Sequence, residues 1–358
     1  MKVALVYDRL NKWGGAERVL LALHKIFPDA PLYTSVYSAE KAPWAKVFDV
    51  RTSFLQKFPF SVHHEIYAPL MPLAFESFNF DKYDLVISVT SEAAKGIVTK
   101  PETAHVSYVL TPTRYLWSGY REYFRNDWFR YLSYPIVLYL RFWDKIAAAR
   151  PDSLIVISKE VQGRVKRYYK RDSKVIYPPV TIGSKYKVLS IKQNTGYYLI
   201  VSRLVPYKRV DIAIRAFNKL GLPLKIVGIG SEEGRLKEMA KGNIEFLGHL
   251  TEQELLGYYQ GCRCLVFCGK EDFGLTILEA NSFGKPVIAY KAGGALETVV
   301  EGKTGIFFDK INPESLAQAV KKFGKMSFNS KTCIEKSEEF SFRNFKNNFL
   351  SELERVTK

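Results

Sequence analysis

The chain has 358 residues, 47% of them hydrophobic and 25% charged, with a formal net charge of +17. This length favours two domains, each able to bury its own core, and the composition is that of an ordinary folded soluble protein. No stretch reaches the length needed to cross a bilayer, and the basic excess favours anionic partners such as nucleic acid, nucleotide-linked substrates or an acidic membrane face.

The opening "MKVALVYDRL" carries one early lysine and then strand-like residues, without the apolar core of a signal peptide, so a cytoplasmic location is expected. Strands are predicted at VALVY (3–7), LYTSV (32–36), DLVIS (84–88), HVSYV (105–109) and SLIVI (153–157). A basic, aromatic stretch, "REYFRNDWFRYLSYPIVLYLRFWDKIAAAR" (121–150), falls between the last two. It suits either the headgroup layer of a membrane or a long helix packed on the first sheet with its aromatics partly in the core. The segment 178–196 is rich in Pro, Gly, Ser and Lys and reads as a connection between domains.

The pattern then begins again with YYLIVS (197–202), LKIVG (224–228), IEFLG (244–248), CLVFC (264–268), PVIAY (286–290) and GIFF (305–308). Helical spacing of Phe342, Phe345, Phe349 and Leu353 predicts a closing helix over about 341–358 that packs back near the first domain. The reading is therefore α/β, with domains at 1–180 and 190–340, each a doubly wound parallel sheet, facing a cleft at the carboxyl ends of the strands. The four cysteines, at 262, 264, 268 and 333, form no CxxC and have no histidine at metal-ligand spacing, so they read as small core residues.

Three loops carry candidate chemistry. Gly14 and Gly15, after the first strand, let a backbone approach a ligand before an amphipathic helix, although the pair serves a tight turn equally well. In "SRLVPYKRVDIAIRAF", Arg203 ends a strand and Lys208 precedes a helix; two fixed cations there suit a diphosphate, and a solvated basic turn is the alternative. In "GKEDFGLTILEANSFGKP", Glu271 falls in a loop and Glu279 on the second turn of a helix starting about Gly274, where carboxylates can accept from sugar hydroxyls. Gly293 and Gly294 precede another helix, and Gly228 and Gly230 follow a strand; the latter pair fails as a dinucleotide fingerprint because Gly234 comes one residue late.

The ordered set GGAER, SRLVPYK, VGIGSEEGRL, EFLGHL, EDFGLTILEA and AGGALETV resembles the retaining glycosyltransferases of family 4, which have two Rossmann-like domains in the GT-B architecture. The likeness runs through nearly the whole chain. In the first half, "SFLQKF", "PLMPLAFESF" and "LTPTRYLW" look most like a bacterial mannosyltransferase branch that builds cell-surface polysaccharide. The resemblance implies that Arg203 and Lys208 bind the donor diphosphate and Glu279 holds the ribose hydroxyls. It further implies that Glu271, with Phe273, Gly274 and Leu275, positions the transferred sugar. The loop of Gly14 and Gly15 would close over phosphates and acceptor, with Gly228 and Gly230 on the donor side.

The implied reaction takes a nucleotide-sugar donor, GDP-mannose-like or a 6-deoxy analogue, to a glycan or lipid-linked hydroxyl with retention, without cofactor or metal. No DxD pair stands near the cations and no general base is evident, which fits a front-face route in which the diphosphate takes the acceptor proton. One position departs from the family pattern: Leu110 stands where a histidine that touches the donor's 6-hydroxyl is common. Leucine packs against a methyl but cannot satisfy a hydroxyl, so either the donor lacks that group or catalysis is weakened. His105, five residues earlier, reads as a core residue. An anionic membrane surface is a further expected partner; nucleic acid is not, since no zinc finger, basic zipper or RNP motif is present. The competing functions are a nucleotide-sugar epimerase or hydrolase of the same architecture and a binding-only relic.

Overall fold

The structure is a computed structural model that describes residues 1–59, 64–124, 126–180 and 196–357. Most of the expected connection at 178–196, namely 181–195, lies outside the described residues. The chain divides into two compact units, Met1–Tyr177 with Phe345–Lys358, and Pro178–Asn344.

The first unit is built on seven strands: β1 (Val3–Tyr7), β2 (Leu32–Thr34), β3 (Val50–Thr52), β4 (Leu85–Thr90), β5 (Ala104–Val109), β6 (Ser153–Val156) and β7 (Lys174–Val175). Their order is β3-β2-β1-β4-β5-β6-β7, all parallel, with Leu5 opposite both Leu32 and Ile87. β4 is buried along its whole length, as a central parallel strand covered on both faces must be, which is why it reads as a mostly apolar run interrupted only by Ser88 and Thr90. β3 and β7, with three and two residues, are too short to show a period and escape the sequence reading. The order reverses between β1 and β4. There Asp8, next after β1, accepts from Thr90 Oγ1 (3.0 Å) and from the backbone N–H groups of Ser91, Ala93 and Ala94 (2.6, 2.9 and 2.9 Å), fixing the loop beyond β4.

His105 is a core residue, as its place in a strand suggests. It shares a 2.9 Å hydrogen bond with Ser88, and burial, reinforced by Arg150 and Arg171, pushes its pKa down to about 3. The basic, aromatic stretch forms the helix Asp127–Ala149. Its anchor is Asp144, which is fully enclosed and accepts from Lys95 Nζ (2.6 Å), Thr113 Oγ1 (2.8 Å), Trp117 Nε1 (2.7 Å) and Tyr169 OH (2.8 Å). A buried ion pair is costly to desolvate, and this one is tolerated because both carboxylate oxygens are satisfied.

The closing helix spans Phe342–Val356, and from Phe345 on it belongs to the first unit. Phe345 and Phe349 pack against Tyr108 of β5, with ring centroids 6.1 and 6.3 Å apart. Next to Leu353, Glu352 is wholly buried and accepts from Ser153 of β6 (2.7 Å), Lys174 of β7 (3.0 Å) and Arg355 (2.5 Å).

The second unit holds β8 (Tyr198–Val201), β9 (Leu224–Val227), β10 (Ile244–Gly248), β11 (Cys264–Phe267), β12 (Val287–Tyr290) and β13 (Gly305–Phe308), in the order β10-β9-β8-β11-β12-β13. Tyr198 and Ile200 enter the core on one face of this sheet, and Leu199 enters it on the other. The period of two is hidden because both faces are apolar. This sheet is also parallel throughout, and its order reverses between β8 and β11.

Glu352 provides a pH test of the closing helix. Burial raises its pKa, but the hydrogen bonds from Arg355, Ser153 and Lys174 outweigh that and hold it at about 2, below the ordinary 4.5. A depressed carboxyl contributes its full stabilisation above about 4.5 and loses it as the pH falls through about 2, so Glu352→Gln is expected to cost about 2–3 kcal/mol at neutral pH and progressively less in acid. Urea unfolding of both proteins between neutral and acid pH checks this; a pH-independent difference would contradict it.

Candidate functional site at the switch point of the second sheet

Where strand order reverses, the loops leaving β8 and β11 turn to opposite faces and a crevice opens at the carboxyl ends of the strands. After β8 the backbone stays paired for a few residues, with Ser202 N donating to Val227 O (3.0 Å) and Leu204 N to Ile229 O (2.9 Å). Gly228 and Gly230, expected on the donor side, serve this pairing. Gly228 has φ +134, and a Cβ there would stand 1.8 Å from the carbonyl oxygen of Ser202; at Gly230 it would stand 2.2 Å from that of Leu204. Their missing side chains let the 228–230 segment lie against the loop that carries Arg203.

Arg203 is exposed, and its Nη2 donates to Tyr207 OH at 2.7 Å. A short 3-10 turn, Pro206–Lys208, follows, with Lys208 Nζ lying 5.2 Å over the Tyr207 ring. Arg209, at φ 53, caps the next helix and pairs with Asp211 at 3.1 Å, so its charge is spent locally.

From β11 the chain passes Gly269, where a Cβ would stand 2.9 Å from Tyr207 O, so this loop rests directly on the Lys208 turn. Glu271 then forms an ion pair with Lys208. The Glu271 backbone is held by a bridge to Gly293 and by the N–H of Gly294 (2.9 Å). Phe273 is buried against Phe340, 5.6 Å between centroids. Gly274 takes φ +92, left-handed backbone that suits glycine, and caps the helix Leu275–Ser282 without supplying a side chain to the first N–H groups. A helix start of this kind favours an anion. Ser202, Lys208, Cys268, Gly269 and Glu271 line one depression at this switch point.

Glu279 is placed differently from the expectation. The helix buries most of its circumference, and Glu279, 2% exposed, accepts from Tyr259 OH at 2.7 Å instead of lining that depression. The cause is its position: it lies on the helix's second turn, where the side chain meets the helix Glu252–Gly261. Gly14 and Gly15 lie in the first unit. Gly14 has φ 178, which any residue adopts, and its neighbour Glu17 is buried and accepts from Tyr7 OH at 2.7 Å.

Sequence reasoning missed Ser202 and Tyr207, although both flank Arg203 and Lys208 in the same motif. It also missed Asp8, whose signal was its place just after the first strand. The cysteines are buried; burial pushes the thiols of Cys262 and Cys268 up to about 12, which leaves them inert. Among the described residues no three His, Cys, Asp or Glu side chains gather into a metal-binding group.

Residues 184–340 match the family model of the group 1 glycosyl transferases. An uncharacterised glycosyltransferase of Methanocaldococcus jannaschii is 29% identical over 206 residues, 56% of this chain and 58% of that protein. The D-rhamnosyltransferase WbpZ of Pseudomonas aeruginosa is 26% identical over 51% of this chain and 50% of its own. A GDP-mannose-dependent alpha-(1-6)-phosphatidylinositol monomannoside mannosyltransferase of Mycolicibacterium smegmatis is 33% identical over 34% of this chain and 36% of its own. The chain thus spans little more than half the length of the first of these relatives, half of the second and about a third of the last. Among solved structures, HepE of Anabaena in complex with UDP and glucose superposes with a TM-score of 0.75 at 21% identity, covering 99% of both chains. Sucrose-phosphate synthase of Thermosynechococcus elongatus does so with 0.76 at 15%, covering 99% of this chain and 98% of its own. These likenesses establish the fold, two Rossmann-like parallel-sheet domains of the GT-B class.

Gly228→Ala tests the support under Arg203. The added methyl displaces the Ser202 carbonyl, which is expected to cost about 1–3 kcal/mol of stability. Thermal unfolding is the measurement; a wild-type value would refute the role.

Proposed function

We propose that this chain transfers a glycosyl group, with retention, from a nucleotide-diphosphate sugar to a hydroxyl of a glycan or lipid-linked acceptor. The observation that carries this reading is the Lys208–Glu271 pair beside Arg203, set where β8 and β11 part. The family match over 184–340, the GDP-mannose dependence in one relative's name and the rhamnosyl transfer in another's support it.

The chemistry follows from the charges. A diphosphate settling on Lys208 competes with Glu271 for the ammonium, and the freed carboxylate turns to accept from the hydroxyls of the sugar being transferred. As the bond from the anomeric carbon to the diphosphate oxygen breaks, its electron pair leaves with the diphosphate. Arg203, Lys208 and the N-terminus of the helix Leu275–Ser282 stabilise that charge. The acceptor oxygen bonds to the same carbon from the same face, and its proton passes to the departing phosphate. No divalent ion enters this scheme. Glu279 would reach the ribose hydroxyls only by sharing its carboxylate with Tyr259.

A 6-deoxyhexose donor is the finer part of this proposal, with weakened catalysis as its alternative, because Leu110 stands where the resembled family commonly has a histidine. A leucine side chain cannot hydrogen-bond a hydroxyl, and the rhamnosyl transfer in the name of the Pseudomonas relative is in line with a 6-deoxy donor.

Arg203→Ala and Lys208→Ala are each expected to lower kcat by about 100- to 1,000-fold, with EDTA having little effect. Nucleotide release from GDP- and UDP-sugars, with and without acceptor, is the measurement. Release without acceptor would point to hydrolysis, and activity lost to EDTA but restored by manganese would overturn the metal-free scheme.

A further inference from the structure

The helix Asp127–Ala149 turns an apolar face to water. With 3.6 residues per turn, Trp128, Tyr131, Leu132, Tyr139, Phe142 and Ile146 fall on one stripe along its length. They are exposed: Trp128 by 74%, Tyr131 by 79% and Phe142 by 69%. Together they leave on the order of 1,000 Å² of mostly apolar surface, more than the few hundred typical of a monomer's largest patch. The opposite face, with Val137, Leu140, Asp144 and Ala147, is buried. A surface helix ordinarily carries polar residues where this one carries its stripe.

Two further observations say what covers it. First, the stripe is bordered by cations. Arg141 and Lys145 each lie 5.5 Å over the ring of Trp117, which stacks on Tyr168 at 5.1 Å, and Arg167 lies 5.8 Å over Tyr168. Tyr168 belongs to the helix Lys159–Tyr169, which exposes Lys159, Lys166 and Arg167. Second, the helix cannot leave its unit, because Asp144 is held by four donors, and no described helix is long and apolar enough to cross a membrane. It is fixed with its apolar side outward and a basic helix alongside.

We infer that this pair of helices docks the first unit onto an anionic lipid surface. The stripe enters the boundary of headgroups and acyl chains, the Trp and Tyr rings sit at headgroup level, and the basic helix lies over the lipid phosphates. A second copy of the chain fits the surface less well: each copy carries a net charge of +17, and pairing along this face would bring two basic helices together. The inference rests on the first unit alone and stands apart from the transfer reading.

Flotation of the full chain with phosphatidylcholine vesicles, with and without phosphatidylglycerol, tests it. The chain is expected to float with the anionic vesicles and not with the neutral ones, and to be released by high salt. The triple variant Trp128→Ser, Tyr131→Ser, Phe142→Ser is expected to bind at least about tenfold more weakly with unchanged thermal unfolding, since those side chains stand in water. Lys145→Ala with Arg167→Ala is expected to lose about fivefold per cation. A wild-type chain that ignores anionic vesicles, or a triple variant that floats as well as wild type, overturns the inference. So does light scattering that finds a dimer which the triple variant dissociates, which would give the stripe to a second copy.

Discussion

In an all-parallel sheet every return of the chain must cross a face of the sheet, and the crossing direction can reverse only where the strand order does. That constraint governs both units. In each, the first strand lies inside the sheet with later strands on both sides of it, so the loops after β1 and β4, and after β8 and β11, part at the carboxyl ends of the strands. Polar groups that would be costly inside a sheet gather at these openings. In the second unit they are Lys208 and Glu271, an oppositely charged pair with one depression around it.

The two openings are organised differently. In the first unit the carboxylate, Asp8, is consumed by the backbone of the loop after β4, so its charge serves architecture. In the second, the loop is held by glycine: Gly228 and Gly230 let strand-end backbones touch, and Gly274 supplies the conformation that starts a helix. Backbone holding backbone leaves the side chains of Arg203, Lys208 and Glu271 for other partners. An enclosed ion pair, Lys95–Asp144, performs a third kind of holding, fixing a long helix whose outer face is apolar.

Much of the fold was legible. The apolar run of β11 and the mostly apolar runs of β4 and β5 arise because both faces of a parallel strand are buried, and the restart at β8 marked the second unit. β3 and β7, of three and two residues, left no periodic trace, whereas the three-residue β2 was read within LYTSV. Candidate residues were legible where they lay close in sequence, as Arg203 and Lys208 do. Glu279 was less so, since seven intervening residues give its helical turn but not which neighbour that turn will meet; Tyr259, twenty positions earlier, took it. The glycines at 228 and 230 were noticed only for following a strand; what requires them is the close approach of the chain's own backbone at Ser202 and Leu204.

The amino-acid sequence by itself determined the local terms: strand and helix periods, the cations after β8, the acidic loop after β11, and inert cysteines with no metal-ligand spacing. These follow from chemistry within a few residues and need no folded partner to be read. Tertiary structure alone decided the pairings across long separations. It set Glu271 on Lys208, enclosed Asp144 among donors from three other segments, and turned one side of the helix Asp127–Ala149 outward. An aromatic side chain reads the same whether it fills a core or faces water, and only the packing of the other elements settles which.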